Sequence, residues 1–336
     1  MKIPKFIFST MLMSALLLTA CSAKETQTSE ETEKNGTLKV STTIYPLEDF
    51  AKKIGGNFVE IQSIYPPGVD AHSFEPTTKD MVSLAESDLF IYTGAGVEGF
   101  ADKAVETLEK EDVTIVKAAE GINLLASSHS HEHEAAEDHA DKDEEHSHED
   151  EEHGHVEEAH EHGDVDPHVW LDPVLAIDLA NNIKVSLTEL KPEHADDFEA
   201  NFLKLKGELE TLDQEFQTVV ENSKTKHLLV SHDAYGYWEE RYGLETIAIN
   251  GLSPTQEPSQ KELAEIIKES TQHGIKYVIF EQNVSQRVSE IIQNEIGAKS
   301  LTLHNLEALT KENVKEQEDY LSIMRKNIDV IKTALN

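Results

Sequence analysis

Short runs of β-branched and apolar residues recur along this chain, each followed by a helix-period stretch. That alternation constrains the fold more than any other feature. Residues 38–43 (Leu-Lys-Val-Ser-Thr-Thr), 59–64, 89–92 and 113–116 read as strands, with helical patterns such as 47–54 and 78–87 between them. After a long gap the rhythm restarts: 227–231, 245–249, 277–280 and 300–303 read as strands, and 261–273 and 285–296 as helices. Strands joined through helices pair in parallel, because the crossover returns the chain to the same end of the sheet. The expectation is an α/β protein of two lobes, each with a roughly four-stranded parallel sheet and flanking helices.

The gap holds two unlike segments. The first, residues 127–164, carries ten histidines (His129, His131, His133, His139, His146, His148, His153, His155, His160 and His162) and sixteen acids against the single Lys142. It has almost nothing to bury, so it cannot contribute to a core and is expected to be disordered without metal. Imidazole and carboxylate are ligands for borderline divalent metals, so it points at metal. The second segment is a long helix. Asp172-Pro173 supplies an N-cap followed by Pro at the first helical position, and 174–190 continues the pattern. Lys191-Pro192 marks a kink. Beyond it Phe198, Phe202, Leu205, Leu209, Leu212, Phe216 and Val219 form one apolar stripe. Residues 192–222 would span roughly 45 Å at the helical rise. A long rigid backbone helix joining both lobes fits this stripe better than its rival, a coiled-coil dimer, because the repeat is short and stops where a strand begins. The expected organisation is therefore 1–20 a signal peptide, 21–37 a linker, 38–171 the first lobe, 172–224 the interlobe helix and 225–336 the second lobe.

Lys2 and Lys5 precede an apolar run over 6–20 that ends in Leu18-Thr19-Ala20-Cys21. The run is short for a membrane span and suits the apolar region of a signal peptide. The last four residues resemble the lipobox of bacterial lipoproteins, which implies cleavage before Cys21 and a lipid on it; an ordinary signal peptide with a chance cysteine is the alternative. Cys21 is the only cysteine, so disulfides and a cysteine-built zinc site are excluded, and any metal must be held by His and carboxylate. The net charge is −36, of which the histidine-rich run supplies −15. A chain this acidic offers no basic patch for nucleic acid.

Seven histidines lie outside the run, and three have unusual surroundings. His72 sits in Pro66-Pro67-Gly68-Val69-Asp70-Ala71-His72-Ser73-Phe74-Glu75-Pro76, a loop whose backbone two prolines and a glycine stiffen. His168 sits in Asp166-Pro167-His168-Val169-Trp170-Leu171-Asp172-Pro173, where either flanking carboxylate could orient the imidazole and Trp170 could exclude water. His232 ends the first strand of the second lobe, in Ser231-His232-Asp233-Ala234-Tyr235-Gly236-Tyr237, and ligands of open α/β sheets collect beyond the carboxyl ends of strands. His194, His227, His273 and His304 read as ordinary surface or core residues.

These three segments in combination resemble the metal-binding receptors of ABC importers, the zinc and manganese solute-binding lipoproteins once called adhesins. The likeness covers about residues 38–336. It implies two α/β lobes joined by a long rigid helix, with His72, His168 and His232 as metal ligands. It also implies an acidic fourth ligand in the loop after the last strand, where Glu307 falls at the matching position. Glu281, His304 and a water molecule are the rivals for that fourth place. The manganese members resemble a set of two histidines and two carboxylates, with Glu where His232 stands here. Three imidazoles and at most one carboxylate give a softer, four-coordinate site suited to Zn2+.

The function expected is a zinc receptor held at the outer membrane face by a lipid on Cys21. It captures Zn2+ between the lobes and passes it to an ABC permease and its ATPase, as a monomer and not as an enzyme. Zinc affinity is expected to fall as pH drops through about 6.5, the ordinary histidine pKa. A zinc-dependent hydrolase is one rival, with Glu75 the nearest base by sequence but no His-Glu-x-x-His pattern. A manganese-binding or adhesion lipoprotein is the other. The run over 127–164 is read as an auxiliary zinc collector rather than the tight site, since ordering a long flexible segment opposes binding.

Overall fold

The computed structural model describes residues 36–127, 165–282 and 285–336. Cys21 and the histidine-rich run beyond Ser127 lie outside the described residues. In the first lobe β1 (Leu38–Thr42), β2 (Val59–Ser63), β3 (Leu89–Tyr92) and β4 (Thr114–Lys117) alternate with α1 (Tyr45–Gly55), α2 (Thr78–Ala85) and α3 (Ala101–Leu108). After α4 (Pro173–Leu190) and α5 (Ala195–Glu221) the second lobe places β5 (His227–His232), α6 (Gly236–Tyr242), β6 (Glu245–Asn250), α7 (Gln260–Gln272), β7 (Tyr277–Glu281), α8 (Arg287–Ile296) and β8 (Lys299–Leu303). The chain closes with α9 (Lys311–Glu316) and α10 (Tyr320–Ala334).

Both sheets are wholly parallel and share one strand order, β2-β1-β3-β4 and β6-β5-β7-β8. The central strands are largely buried on both faces: every residue of β3 (Leu-Phe-Ile-Tyr) is buried, and β1 exposes only Lys39. Edge strand β2 exposes Glu60 and Gln62 instead. Connections leave in opposite directions between β1 and β3 and again between β5 and β7, so each sheet has a switch point at the carboxyl ends of its central pair. Strands β5, β6 and β7 each run one residue beyond the stretch expected from the sequence, to His232, Asn250 and Glu281. Polar residues therefore end the strands at that edge.

The helical region between the lobes differs from the expected kinked helix. Asp172 caps α4, its Oδ1 accepting from Val174 N (2.8 Å) and Leu175 N (3.1 Å). The helix then stops at Leu190, and Lys191 leads into a short 3-10 turn, Pro192–His194. Pro disfavours a helical residue before it and cannot donate to the preceding turn, and at this position the helix ends where a kink was expected. Helix α5 folds back along α4: Lys184 Nζ reaches Glu199 Oε2 at 2.8 Å and lies 4.9 Å from the Phe202 ring centre.

Helix α5 is the member that spans both lobes. Its buried stripe is Phe198, Phe202, Leu205, Leu209, Leu212, Phe216 and Val220. The final position is Val220 rather than Val219 because a straight helix repeats at 3.6 residues, and the stripe drifts by one position over its length. At its start Phe198 meets Phe58 (ring centres 6.0 Å apart) and Asn201 Nδ2 donates to Ile54 O (2.9 Å). Toward its end Phe216 meets Trp238 (4.8 Å) and Asp213 accepts from Tyr242 OH (2.9 Å). One apolar core consequently runs from the first sheet through the helices into β5 and α10, and a smaller one lies under α7 and α8. No helix among the described residues is long and apolar enough to cross a membrane.

Candidate metal centre

Four separate segments meet between the lobes. The loop after β2 turns at Pro66-Pro67-Gly68, with Gly68 at φ 90°, a conformation that favours glycine. Gly68 N donates to Leu309 O (2.9 Å), which ties this loop of the first lobe to the second. Tyr65 OH donates to Ala71 O (3.3 Å) and His72 N to Asp70 Oδ1 (3.1 Å), leaving the His72 ring directed at the interlobe space. His168 is fully buried just before a 3-10 turn, Val169–Leu171, that leads into α4. His232 is fully buried at the carboxyl end of β5, on the switch-point strand. Glu307 is buried in the loop after β8, where Leu306 adopts φ 65°.

Their donor atoms converge. His168 Nε2 lies 3.3 Å from His72 Nε2 and 3.4 Å from His232 Nε2. Glu307 Oε1 lies 3.4 Å from His72 Nε2 and 3.9 Å from His168 Nε2. All four ligand atoms fall within 4.8 Å of one another. A tetrahedral ion with bonds of about 2.0–2.1 Å needs ligand atoms about 3.3–3.4 Å apart, which matches the His168–His72, His168–His232 and His72–Glu307 separations, while the 3.9 Å from Glu307 to His168 is somewhat wider. Glu307 Oε1 is buried and makes no hydrogen bond among the described residues, while Oε2 accepts from Ala71 N (3.3 Å). The atom facing the imidazoles is therefore the one left to bind a cation.

The partners behind the cluster set which ring nitrogen faces in. His168 Nδ1 donates to Asp166 Oδ1 (2.8 Å), and His232 Nδ1 donates to Glu281 Oε1 (2.8 Å), which also accepts from Ser231 Oγ (3.0 Å). In its neutral form each ring thus presents a bare Nε2. Of the two carboxylates flanking His168, only Asp166 orients it; Asp172 is used as the α4 cap and pairs with Arg241. Trp170 is buried beside His168 (ring centres 5.3 Å apart), and its indole N–H donates to Asn305 O (2.8 Å) in the Glu307 loop. Glu281 and His304, the rivals for the fourth place, are outside the four-donor group: Glu281 stands behind His232, and His304 bonds Leu306 N (2.9 Å) and Asn313 Oδ1 (3.0 Å). Glu75 is exposed and also outside it.

Electrostatics follow from this packing. Burial opposes ionisation of Glu307, but His72 first, then His232 and His168, outweigh it and hold the carboxyl at about 2. Burial opposes a charged His232 likewise, yet the Glu281 carboxylate outweighs it and raises the imidazole to about 8. The ordinary histidine value near 6.5 used for the sequence expectation therefore does not hold for His232. The sequence reading missed Ser231 and Ala71 as supports, and Gly236, where a Cβ would come within 2.7 Å of Asp166 Oδ2. A glycine at the start of α6 was visible, but its neighbour in space was not.

Residues 40–334 match the family described as zinc-uptake complex component A, periplasmic (ZnuA). The chain belongs to the ZnuA family. It is 34% identical over 320 residues to the high-affinity zinc uptake system protein ZnuA of Bacillus subtilis, covering 95% of this chain and 94% of that one. It is 35% identical over 298 residues to the zinc-binding protein AdcA of Streptococcus pyogenes serotype M3, covering 88% of this chain. It spans only 56% of that streptococcal relative's length. The Zn(II)-bound AdcA of Streptococcus pneumoniae shares its fold with a TM-score of 0.70 at 31% identity, over 89% of this chain and 58% of that one. The ZnuA-family fold of two parallel α/β lobes joined by a long helix is the one described above.

Proposed function

We propose that this ZnuA-family chain is a non-enzymatic zinc receptor that takes Zn2+ into the interlobe site and hands it to an ABC permease. His72, His168, His232 and Glu307 are its ligands in this reading, and the lipid on Cys21 holds it at the outer membrane face. The observation that carries the proposal is the convergence of three Nε2 atoms and one carboxylate oxygen without a hydrogen bond, all within 4.8 Å of one another. Three nitrogens and one oxygen suit zinc better than manganese or calcium, which favour oxygen-rich shells. Four protein ligands close the coordination, which fits holding an ion rather than activating a water. The donors come from four segments in two lobes, so a modest shift of any loop distorts the cage and releases the cargo.

Zinc binding by competition with a chelator tests this for the wild type and for His72→Ala, His168→Ala, His232→Ala and Glu307→Ala. Each histidine change is expected to weaken binding by about two orders of magnitude or more, and Glu307→Ala by less. A triple-histidine variant that still holds one tight zinc overturns the ligand set.

A further inference from the structure

We infer that His304 is a positioning residue for zinc capture: its imidazole fixes the backbone of the loop that presents Glu307, without touching the ion. The inference rests on the zinc reading above and deepens it.

The Glu307 loop is short and irregular, and it must place one carboxylate oxygen among three imidazoles. Leu306, fully buried, takes φ 65°, a conformation that leucine rarely adopts. It points the next residue, Glu307, back toward the first lobe, where Ala71 N donates to Oε2. Something must hold that backbone, and the buried His304 ring does so from behind. Its Nδ1 accepts from Leu306 N (2.9 Å), so the proton sits on Nε2, which donates to Asn313 Oδ1 (3.0 Å). Asn313 belongs to α9, where its Oδ1 also accepts from Thr310 N (2.9 Å) at the end of the same loop. Asn327 of α10 grips the His304 backbone on both sides, Oδ1 accepting from His304 N (2.9 Å) and Nδ2 donating to His304 O (2.8 Å). The imidazole is thus a brace between the residue before Glu307 and two helices of the second lobe. No neutral side chain other than an imidazole accepts at the short arm and donates at the long arm in one rigid plane.

The two arms can be cut separately. His304→Asn keeps an acceptor at the position of Nδ1 but cannot reach Asn313. His304→Gln reaches Asn313 but leaves Leu306 N without its acceptor. Each is measured for zinc affinity by chelator competition, alone and combined with Glu307→Ala, with thermal unfolding recorded on the same samples. The expected result is zinc binding within about threefold of wild type for His304→Asn and about tenfold weaker for His304→Gln. His304→Gln combined with Glu307→Ala is expected to bind no more weakly than Glu307→Ala alone, because the brace acts only through that carboxylate. An additive loss in the double variant, or unchanged affinity in His304→Gln despite a lower unfolding temperature, overturns the inference and leaves His304 a packing residue. Unchanged affinity in Glu307→Ala itself overturns the fourth ligand instead, so the two failures are distinguishable.

Discussion

An imidazole can serve an ion only through a bare nitrogen, and for two of the three histidines a buried carboxylate at Nδ1 decides which nitrogen that is. Asp166 does this for His168 and Glu281 for His232. Glu281→Gln retains a side-chain oxygen that can accept at Nδ1 but removes the charge that makes the ring a stronger donor to metal. It is expected to weaken zinc binding about 10- to 100-fold at the interlobe site, measured by chelator competition, without changing the number of such sites per chain. The same pair sets a pH dependence. His232 is raised to about 8 in the fold without zinc, so its contribution to folding is full below the ordinary value near 6.5 and is lost as pH rises through about 8. Zinc requires the neutral ring, so affinity is expected to climb between pH 6.5 and 8 and then level. Binding at pH 7 should release protons, seen as a buffer-dependent enthalpy in calorimetry. Glu307, held at about 2, works in the opposite sense: its contribution is present above about 4.5 and is lost as pH falls through about 2.

At the scale of elements, α5 carries the largest single burden, since one stripe of side chains packs on both lobes. Leu209 lies at its middle and is fully buried. Leu209→Ala is expected to destabilise the protein by about 2–5 kcal/mol through lost burial and the cavity left behind, measured by urea unfolding. The zinc affinity of the folded protein should change little, because Leu209 belongs to α5 and to none of the four donor segments. The stripe was legible as sequence because burial on one helix face imposes its period on the residues. The turn at Lys191–His194 was legible only as a disturbance. A proline can kink a helix or end it, and the packing of α5 back on α4, through Lys184, Glu199 and Phe202, decides which.

For the molecule as a whole, the continuity of the core matters most. Residues of the first sheet, α4, α5, β5 and α10 belong to one apolar cluster, and Phe50 of α1 packs on Tyr320 of α10 (ring centres 4.9 Å apart). Lys53 of α1 pairs with Asp319 at 2.9 Å across the same junction. Lobes that share a core unfold together, so calorimetry should show a single main transition for residues 37–336. Zinc at 100 times its dissociation constant should raise the stability of that one unit by about 2.7 kcal/mol. Two separated transitions, with zinc moving only one, would count against a shared core.

The sequence by itself determined the class of fold, the two-lobe division and the cap of α4, and it singled out three histidines whose rings the fold brings together. Each of these is written in local order: strand and helix periods come from burial on one or two faces, and the His72 loop is stiffened by Pro66 and Pro67 and turned at Gly68. The tertiary structure alone decided the relations between segments distant along the chain. It assigned Asp166, and not Asp172, to His168, put Glu281 behind His232 and outside the four-donor group, and turned His304 toward Leu306. These outcomes depend on which carboxylate or imidazole comes within about 3 Å of which nitrogen, a distance set by the packing of whole elements. A sequence shows that such groups are present; only the folded chain fixes their partners.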